Sequence, residues 1–190
     1  MKLNITFNDF KKHHKNKKNQ ILYATKKCSD YSKVENLFRF VSTEENSFIF
    51  ESVEKGRVRG RYTIIGLNPD KIWDISKNHI NVFTEGKRSK IKSNPLKFLN
   101  NLLSRFNNKI HNNLPKMASM LVGYFSYDVI RYIEKIPNKC ADDLKIPDIK
   151  LMRPKKIIIH DNLLKKIYYI SNCYADEAIR DYKNYYLKQI

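Results

Sequence analysis

An α+β fold, a mainly antiparallel sheet with flanking helices, is what this sequence predicts, and three observations predict it. Strand-like segments outnumber helical ones. The two kinds occur in blocks rather than in strict alternation. Apolar–polar alternation on both sides of turn residues points to hairpins. The chain has 190 residues, 42% of them hydrophobic, enough for about one domain in which roughly 70% of the unfolded surface leaves water.

The elements follow in order. Residues 1–20 are polar and lysine-rich with little periodicity, so they read as a flexible or weakly packed basic leader. Lys33–Val41 sets Val34, Leu37, Phe38 and Val41 on one helical face. Ser47–Ser52 is short, apolar and aromatic, hence a strand, and Arg61–Leu67 is a β-branched strand that ends at the Gly66/Asn68–Pro69 turn signal. Ile72–Ile75 and Ile80–Thr84 alternate around Asn78–His79 and predict an antiparallel hairpin continuing into Lys87–Ile91. Asn94–Pro95 starts a helix, with a capping Asn and Pro at the first helical position, and Leu96, Leu99, Leu102, Leu103 and Phe106 form its stripe. Met117–Phe125 reads as one buried strand and Asp128–Ile136 as a helix. Pro137–Pro147 is an acidic loop. Ile149–Met152, Lys156–His160 and Lys166–Ser171 read as three strands. Ala175–Ile190 closes the chain as a helix with Ile179, Tyr182, Tyr186 and Ile190 on one face.

Charge and composition exclude several classes. Lys+Arg is 37 against Asp+Glu 19, a formal charge of +18, which raises nucleic-acid binding first. The cations are scattered, however, and Lys11–Lys18 is the one dense run. Arg contributes 9 of the 37, although bidentate phosphate and base contacts favour Arg. Lys, Asn and Ile are together abundant, at 28, 20 and 22, and all three have A/T-rich codons, so compositional drift explains the charge and no nucleic-acid partner is expected. No apolar run reaches the roughly 18 residues of a membrane span, no signal-peptide h-region opens the chain, and Cys28, Cys140 and Cys173 are too far apart for a zinc knuckle. The expectation is a soluble cytoplasmic protein without a membrane partner.

The residues alone form no complete catalytic centre. There is no GxGxxG, P-loop, GxSxG or HExxH motif. His160–Asp161 ends a strand and is either a dyad or a local structural pair. Asp142–Asp143 reads as a solvated turn, and Asp128 and Glu134 as local charge partners. One segment resembles a binding site. Phe50-Glu51-Ser52 ends a strand, a basic Gly-bearing loop follows, and Arg61-Tyr62-Thr63 begins the next strand. A carboxylate and a hydroxyl there suit a small zwitterion. The plain alternative is a hairpin whose Glu51 pairs with Arg57, Arg59 or Arg61.

Three ordered segments carry a resemblance. SFIFESVEKGRVRGRYTIIGLNPDKIWDI (47–75), MASMLVGYFSYDVIRYIEKIP (117–137) and PDIKLMRPKKIIIHD (147–161) resemble the LLES…GRYSxxGxxP, GYxxYDxxRxxExxP and PD…RP…FD stretches of anthranilate synthase component I. The resemblance covers roughly residues 21–175 and implies the N-terminal, regulatory domain of that large subunit. Residues 1–20 are then the leader, and 176–190 the start of a linker or helix toward an absent catalytic domain. The chain thus reads as a fragment without a catalytic centre or metal ligands, inactive by itself, its last helix lacking a partner surface. The family reaction converts chorismate and ammonia to anthranilate and pyruvate with Mg²⁺, a step of tryptophan biosynthesis. Ammonia comes from a glutamine amidotransferase subunit, component II. The resemblance implies that Ser52 is the strongest candidate in a feedback site for the inhibitor L-tryptophan, with Glu51 and Phe50 beside it and Arg61 and Tyr62 lining it. Departures are Ile49–Phe50 for Leu–Leu, RYT for RYS, Ala118–Ser119 for Gly–Gly and His160-Asp161-Asn162 for Phe-Asp-His. The rivals are aminodeoxychorismate synthase component I, of the folate pathway, and a stand-alone tryptophan-binding module.

Overall fold

The structure, a computed structural model, describes residues 2–29, 36, 37, 39, 41, 43–51, 60–106, 108–137 and 142–189. Eight strands and three helices are described: α1 (Phe7–Lys15), β1 (Gln20–Lys27), β2 (Phe48–Glu51), β3 (Tyr62–Ser76), β4 (His79–Thr84), β5 (Lys87–Lys92), α2 (Pro95–Arg105), β6 (Val122–Phe125), β7 (Ile149–Asp161), β8 (Lys166–Cys173) and α3 (Tyr182–Leu187). Two 3₁₀ segments lie at Lys116–Ala118 and Tyr127–Tyr132. The strand order is β1-β8-β7-β3-β4-β5, with β2 on β3 and β6 on β7. Each pairing for which a register is given is antiparallel.

The chain divides into two compact units: Met1–Asn68, Asn108–Met120 and Pro154–Ile190 make the first, Pro69–Asn107 and Leu121–Arg153 the second. Both divisions inside a strand fall at a proline. Sequence signals suggested a turn at Asn68–Pro69 and separate strands on either side of Pro154. Instead β3 and β7 run through. What changes at the proline is the strand's partner. β3 pairs with β2 up to Gly66 and with β4 from Lys71. β7 pairs with β6 up to Met152 and with β8 from Lys156. Proline has no N–H to give a ladder, so it sits where one ladder ends and the next begins. Asn68, with φ of 52°, takes the left-handed conformation that Asn tolerates.

In the first unit, Ile64, Ile157, Ile159, Tyr168 and Ile170 pack with Leu114 and Ala118. Val41, Ile65 and Ile167 form another cluster, to which Leu37 and Ile49 add. Asn36, Leu37, Arg39 and Val41 are helical, as expected there, while Val34 and Phe38 lie outside the described residues. The supposed flexible leader is instead ordered. Thr6 caps α1 by accepting from the Asp9 N–H at 3.2 Å, and Phe10 is completely buried among Leu22, Cys173, Ile179, Tyr182, Tyr185 and Tyr186. The aromatic face of the last segment is therefore covered, which corrects the expectation of a missing partner surface. Its helix is also shorter than expected, beginning at Asp181, whose side chain accepts from the Asn184 N–H at 3.0 Å.

In the second unit, Trp73, Ile75, Ile80, Leu99, Ile149 and Leu151 form the core. The expected β3–β4–β5 meander is present, and Asn94 caps α2 with Pro95 in its first turn. Leu99 and Leu102 pack inward, but Phe98 takes the place expected of Leu103, which is 59% exposed. Two further expectations fail here. Met117–Phe125 is not one buried strand: a 3₁₀ turn precedes the short β6, whose Gly123, Tyr124 and Phe125 are exposed. Where a helix was expected at 128–136, Tyr127–Tyr132 is a 3₁₀ segment with no buried residue and the rest is irregular. Arg131 donates from Nη1 to the carbonyls of Ile136 and Pro137, and those contacts hold the chain in a turn.

Candidate functional site

Of the predicted binding residues, Phe50, Glu51, Arg61 and Tyr62 are described, at one end of the β2–β3 pair in the first unit. β2 pairs with β3 so that Phe50 lies opposite Ile64 and Glu51 opposite Thr63. Residues opposite each other share a face. Alternation therefore sets Phe50 and Tyr62 on the face of Ile64, and Glu51 with Thr63 on the face of Ile65. Phe48 packs on Phe50 with ring centroids 4.9 Å apart. Phe48 faces Gly66, where a Cβ would overlap its ring. Glycine at 66 thus lets the aromatic ladder lie flat on β3. Phe50 is 47% exposed. Ser52 and the loop through residue 59 lie outside the described residues.

The partner Arg61 takes in this corner is Asp161. Its Nε and Nη2 reach Asp161 at 3.1 and 2.8 Å, a bidentate pair. Asp161 is buried, and its Oδ1 also accepts from the N–H groups of Leu163 and Leu164, both at 3.0 Å. Burial pushes this carboxyl up, but the Arg61 hydrogen bonds and the two backbone donors outweigh that and hold it below its ordinary value. Arg61 is held above its own ordinary value, first by the hydrogen bond to Asp161. Its guanidinium lies over the Tyr62 ring, 4.8 Å from the centroid. Arg61 thus presents a partly exposed cation braced from beneath and from the side.

His160 and Asp161 do not form a dyad. As neighbours on β7 they point to opposite faces. His160 is buried with Nε2 3.2 Å from the Cys28 carbonyl, while Asp161 faces Arg61. Sequence reasoning missed the Arg61–Asp161 pair because a hundred residues separate the partners. The available signal was a buried-strand Asp just before the Asn162 turn.

Three other acidic residues make local structural contacts. Asp128 pairs with Arg131 at 2.7 Å. Asp142 accepts from the Lys145 N–H at 3.0 Å, as a turn residue does. Tyr132 donates to Asp148, and the Lys77 N–H donates to both, at 2.8 and 3.1 Å. Burial, then that hydrogen bond, raises the Tyr132 hydroxyl well above its ordinary value. Among the described residues no group of three His, Cys, Asp or Glu side chains is placed to hold a metal. Nor is any helix among them long and apolar enough to cross a membrane.

A family profile described as chorismate binding enzyme matches residues 45–190. Anthranilate synthase component 1 of Cereibacter sphaeroides is 27% identical over 179 residues, which cover 92% of this chain and 36% of that protein. The same component of Acetivibrio thermocellus is 32% identical over 145 residues, 76% of this chain and 29% of that one. The crystal structure of anthranilate synthase component I from Streptococcus pneumoniae TIGR4 superposes with a TM-score of 0.52 at 20% identity, covering 81% of this chain and 33% of that one. The chain thus spans about a third of the length of the relatives it matches.

Proposed function

The chain belongs to the chorismate binding enzyme family, and from that premise we propose that it serves as the regulatory part of an anthranilate synthase large subunit. In that reading the subunit converts chorismate and ammonia to anthranilate and pyruvate. A glutamine amidotransferase subunit supplies the ammonia. This chain contributes Phe50, Glu51, Ser52, Arg61 and Tyr62 to an L-tryptophan feedback site.

One observation carries the regulatory reading: the β2–β3 register, which sets the Phe50–Glu51 strand end beside a braced, one-third-exposed Arg61. A zwitterionic amino acid needs an acceptor for its ammonium and a donor for its carboxylate. Glu51 supplies the first kind of group and Arg61 the second. Phe50 and Tyr62 lie on the other face of the strand pair, and their rings supply the aromatic surface of the proposed site at its open end. A ligand of this kind regulates by its differential affinity for two arrangements of the subunit.

The test is inhibition of anthranilate formation by L-tryptophan in the full subunit. Ser52→Ala weakens inhibition about tenfold or more while the rate without tryptophan changes little. Unchanged inhibition removes the site assignment. The 190-residue chain alone forms no anthranilate from chorismate and ammonia, and measurable turnover by it would overturn the division of labour.

A further inference from the structure

The β4–β5 hairpin carries a pattern that the proposed activity does not use. Among the described residues β5 pairs only with β4 and so ends the strand order. All six of its residues are exposed, and four are cations: Lys87, Arg88, Lys90 and Lys92.

The register decides which groups look outward. The two-residue loop Glu85–Gly86, with φ of 49° and 74°, closes on the pair Thr84 and Lys87. In such a hairpin the closing pair exchanges both hydrogen bonds, and the bonded pairs then alternate. Bonded pairs are therefore 84/87, 82/89 and 80/91. The next one is confirmed by the Ser93 N–H donating to the Asn78 carbonyl at 3.1 Å. The N–H and C=O groups of Arg88, Lys90 and Lys92 point away from β4, to an open edge.

The same three residues share a face. Lys87, Ser89 and Ile91 lie opposite Thr84, Val82 and Ile80, the side of the core. Arg88, Lys90 and Lys92 lie opposite Phe83, Asn81 and His79, on the outer side. Arg88 is held there, donating from Nη2 to Asn81 Oδ1 at 3.0 Å. Among the described residues no acidic side chain pairs with these three cations.

We propose that the β5 edge is a docking site for an extended acidic protein segment, added to the sheet as a further strand with carboxylates at alternating positions. Main-chain hydrogen bonds to Arg88, Lys90 and Lys92 supply the attachment. Acidic side chains opposite the same three residues fall on their face and meet the cations at cross-strand distance. The intervening residues lie beside Ser89 and Ile91, where small or apolar side chains fit. A second copy of β5 is rejected, because it would set cation against cation.

The probe is an acetylated, fluorescently labelled (Glu-Val)4 peptide, titrated into the 190-residue chain and followed by anisotropy. A peptide of the same composition without alternating glutamates is the control, and polyphosphate is the competing polyanion. Alternating peptide binding at least about tenfold tighter than the control supports the proposal. Equal binding of the two, or a preference for polyphosphate, overturns it. Lys90→Ala removes one charge. Lys90→Pro also removes an outward N–H while leaving the β4 ladder whole. Pro weakens binding about tenfold beyond Ala, and equal loss in the two means charge alone acts, which overturns strand addition. Amide exchange on the unmutated chain reads the same point without a variant. The peptide slows exchange at Arg88, Lys90 and Lys92, already-bonded Lys87, Ser89 and Ile91 changing little. Absence of that alternation overturns the proposal.

Discussion

Among the described residues each compact unit holds a bidentate arginine–aspartate pair, and the two differ in how much water they see. In the second unit Arg153 and Asp70 are each 10% exposed at the side chain. In the first, Asp161 is fully buried but Arg61 remains 31% exposed. Asp161 also keeps two backbone donors whatever Arg61 does. A pair closed on both sides can only hold the strands that carry it. A pair open on the arginine side holds its carboxylate and still offers a cation to a ligand. Chemistry that looks equivalent as text separates into a structural role and a binding role by exposure alone.

The sharpest way to break this comparison is to remove each arginine. Arg153→Ala leaves Asp70 charged in a closed site and costs about 3–5 kcal/mol, read from urea denaturation. Arg61→Ala costs about 2 kcal/mol or less, since Asp161 retains its backbone donors. Equal losses would erase the distinction. Acid sharpens it further. The Asp161 carboxyl is lowered in the folded state, so its stabilisation is complete above the ordinary carboxylate value near 4 and is lost as pH falls through the lower folded value. The stability difference between the parent chain and Asp161→Asn is therefore constant near neutrality and shrinks below about pH 4.

The glycines give a smaller contrast. A Cβ at Gly123 would overlap the Lys150 backbone carbonyl, whereas one at Gly66 meets the far end of the Phe48 ring. Backbone in a ladder cannot step aside, but a ring can turn. Gly123→Ala costs about 3 kcal/mol and Gly66→Ala about 1 kcal/mol, and thermal melts showing the reverse order would contradict this reading of the two contacts.

A last contrast concerns Lys156, whose Nζ donates to the carbonyls of Lys188 and Gln189 at 3.2 and 2.8 Å. Burial, then the charge of Lys155, lowers its pKa to about 8. The unfolded chain binds the extra proton between about 8 and the ordinary value near 10.4, so stability gains from this site as pH rises through that window. Lys156→Met abolishes that gain, seen as a flatter stability profile between pH 8 and 10.

Local signals in the sequence were sufficient for much of the second unit. The β3–β4–β5 meander and the Asn94–Pro95 helix start depend on alternation, turn residues and a cap, all within two to four residues. They were insufficient for α1. Its lysines suggested a loose arm, and the helix is held by Phe10 entering a socket made by tyrosines some 170 residues away. At the candidate site the strand end and the Arg61–Tyr62 start were legible as a polar cluster between apolar runs. The partner of Arg61 was not, because Asp161 lies a hundred residues away in the sequence.

The antiparallel α+β class, the hairpins, the helix cap and the family resemblance were all legible in the residues, since each rests on near neighbours or on motif order. Only the tertiary structure decided that Pro69 and Pro154 exchange strand partners instead of ending strands. It alone decided that Asp161 braces Arg61 and that Phe10 closes the chain's two ends together. The physical reason is range. Backbone conformation is set over a few residues, whereas ladder partners, buried ion pairs and aromatic sockets are chosen by whichever distant side chains compete best for the same space.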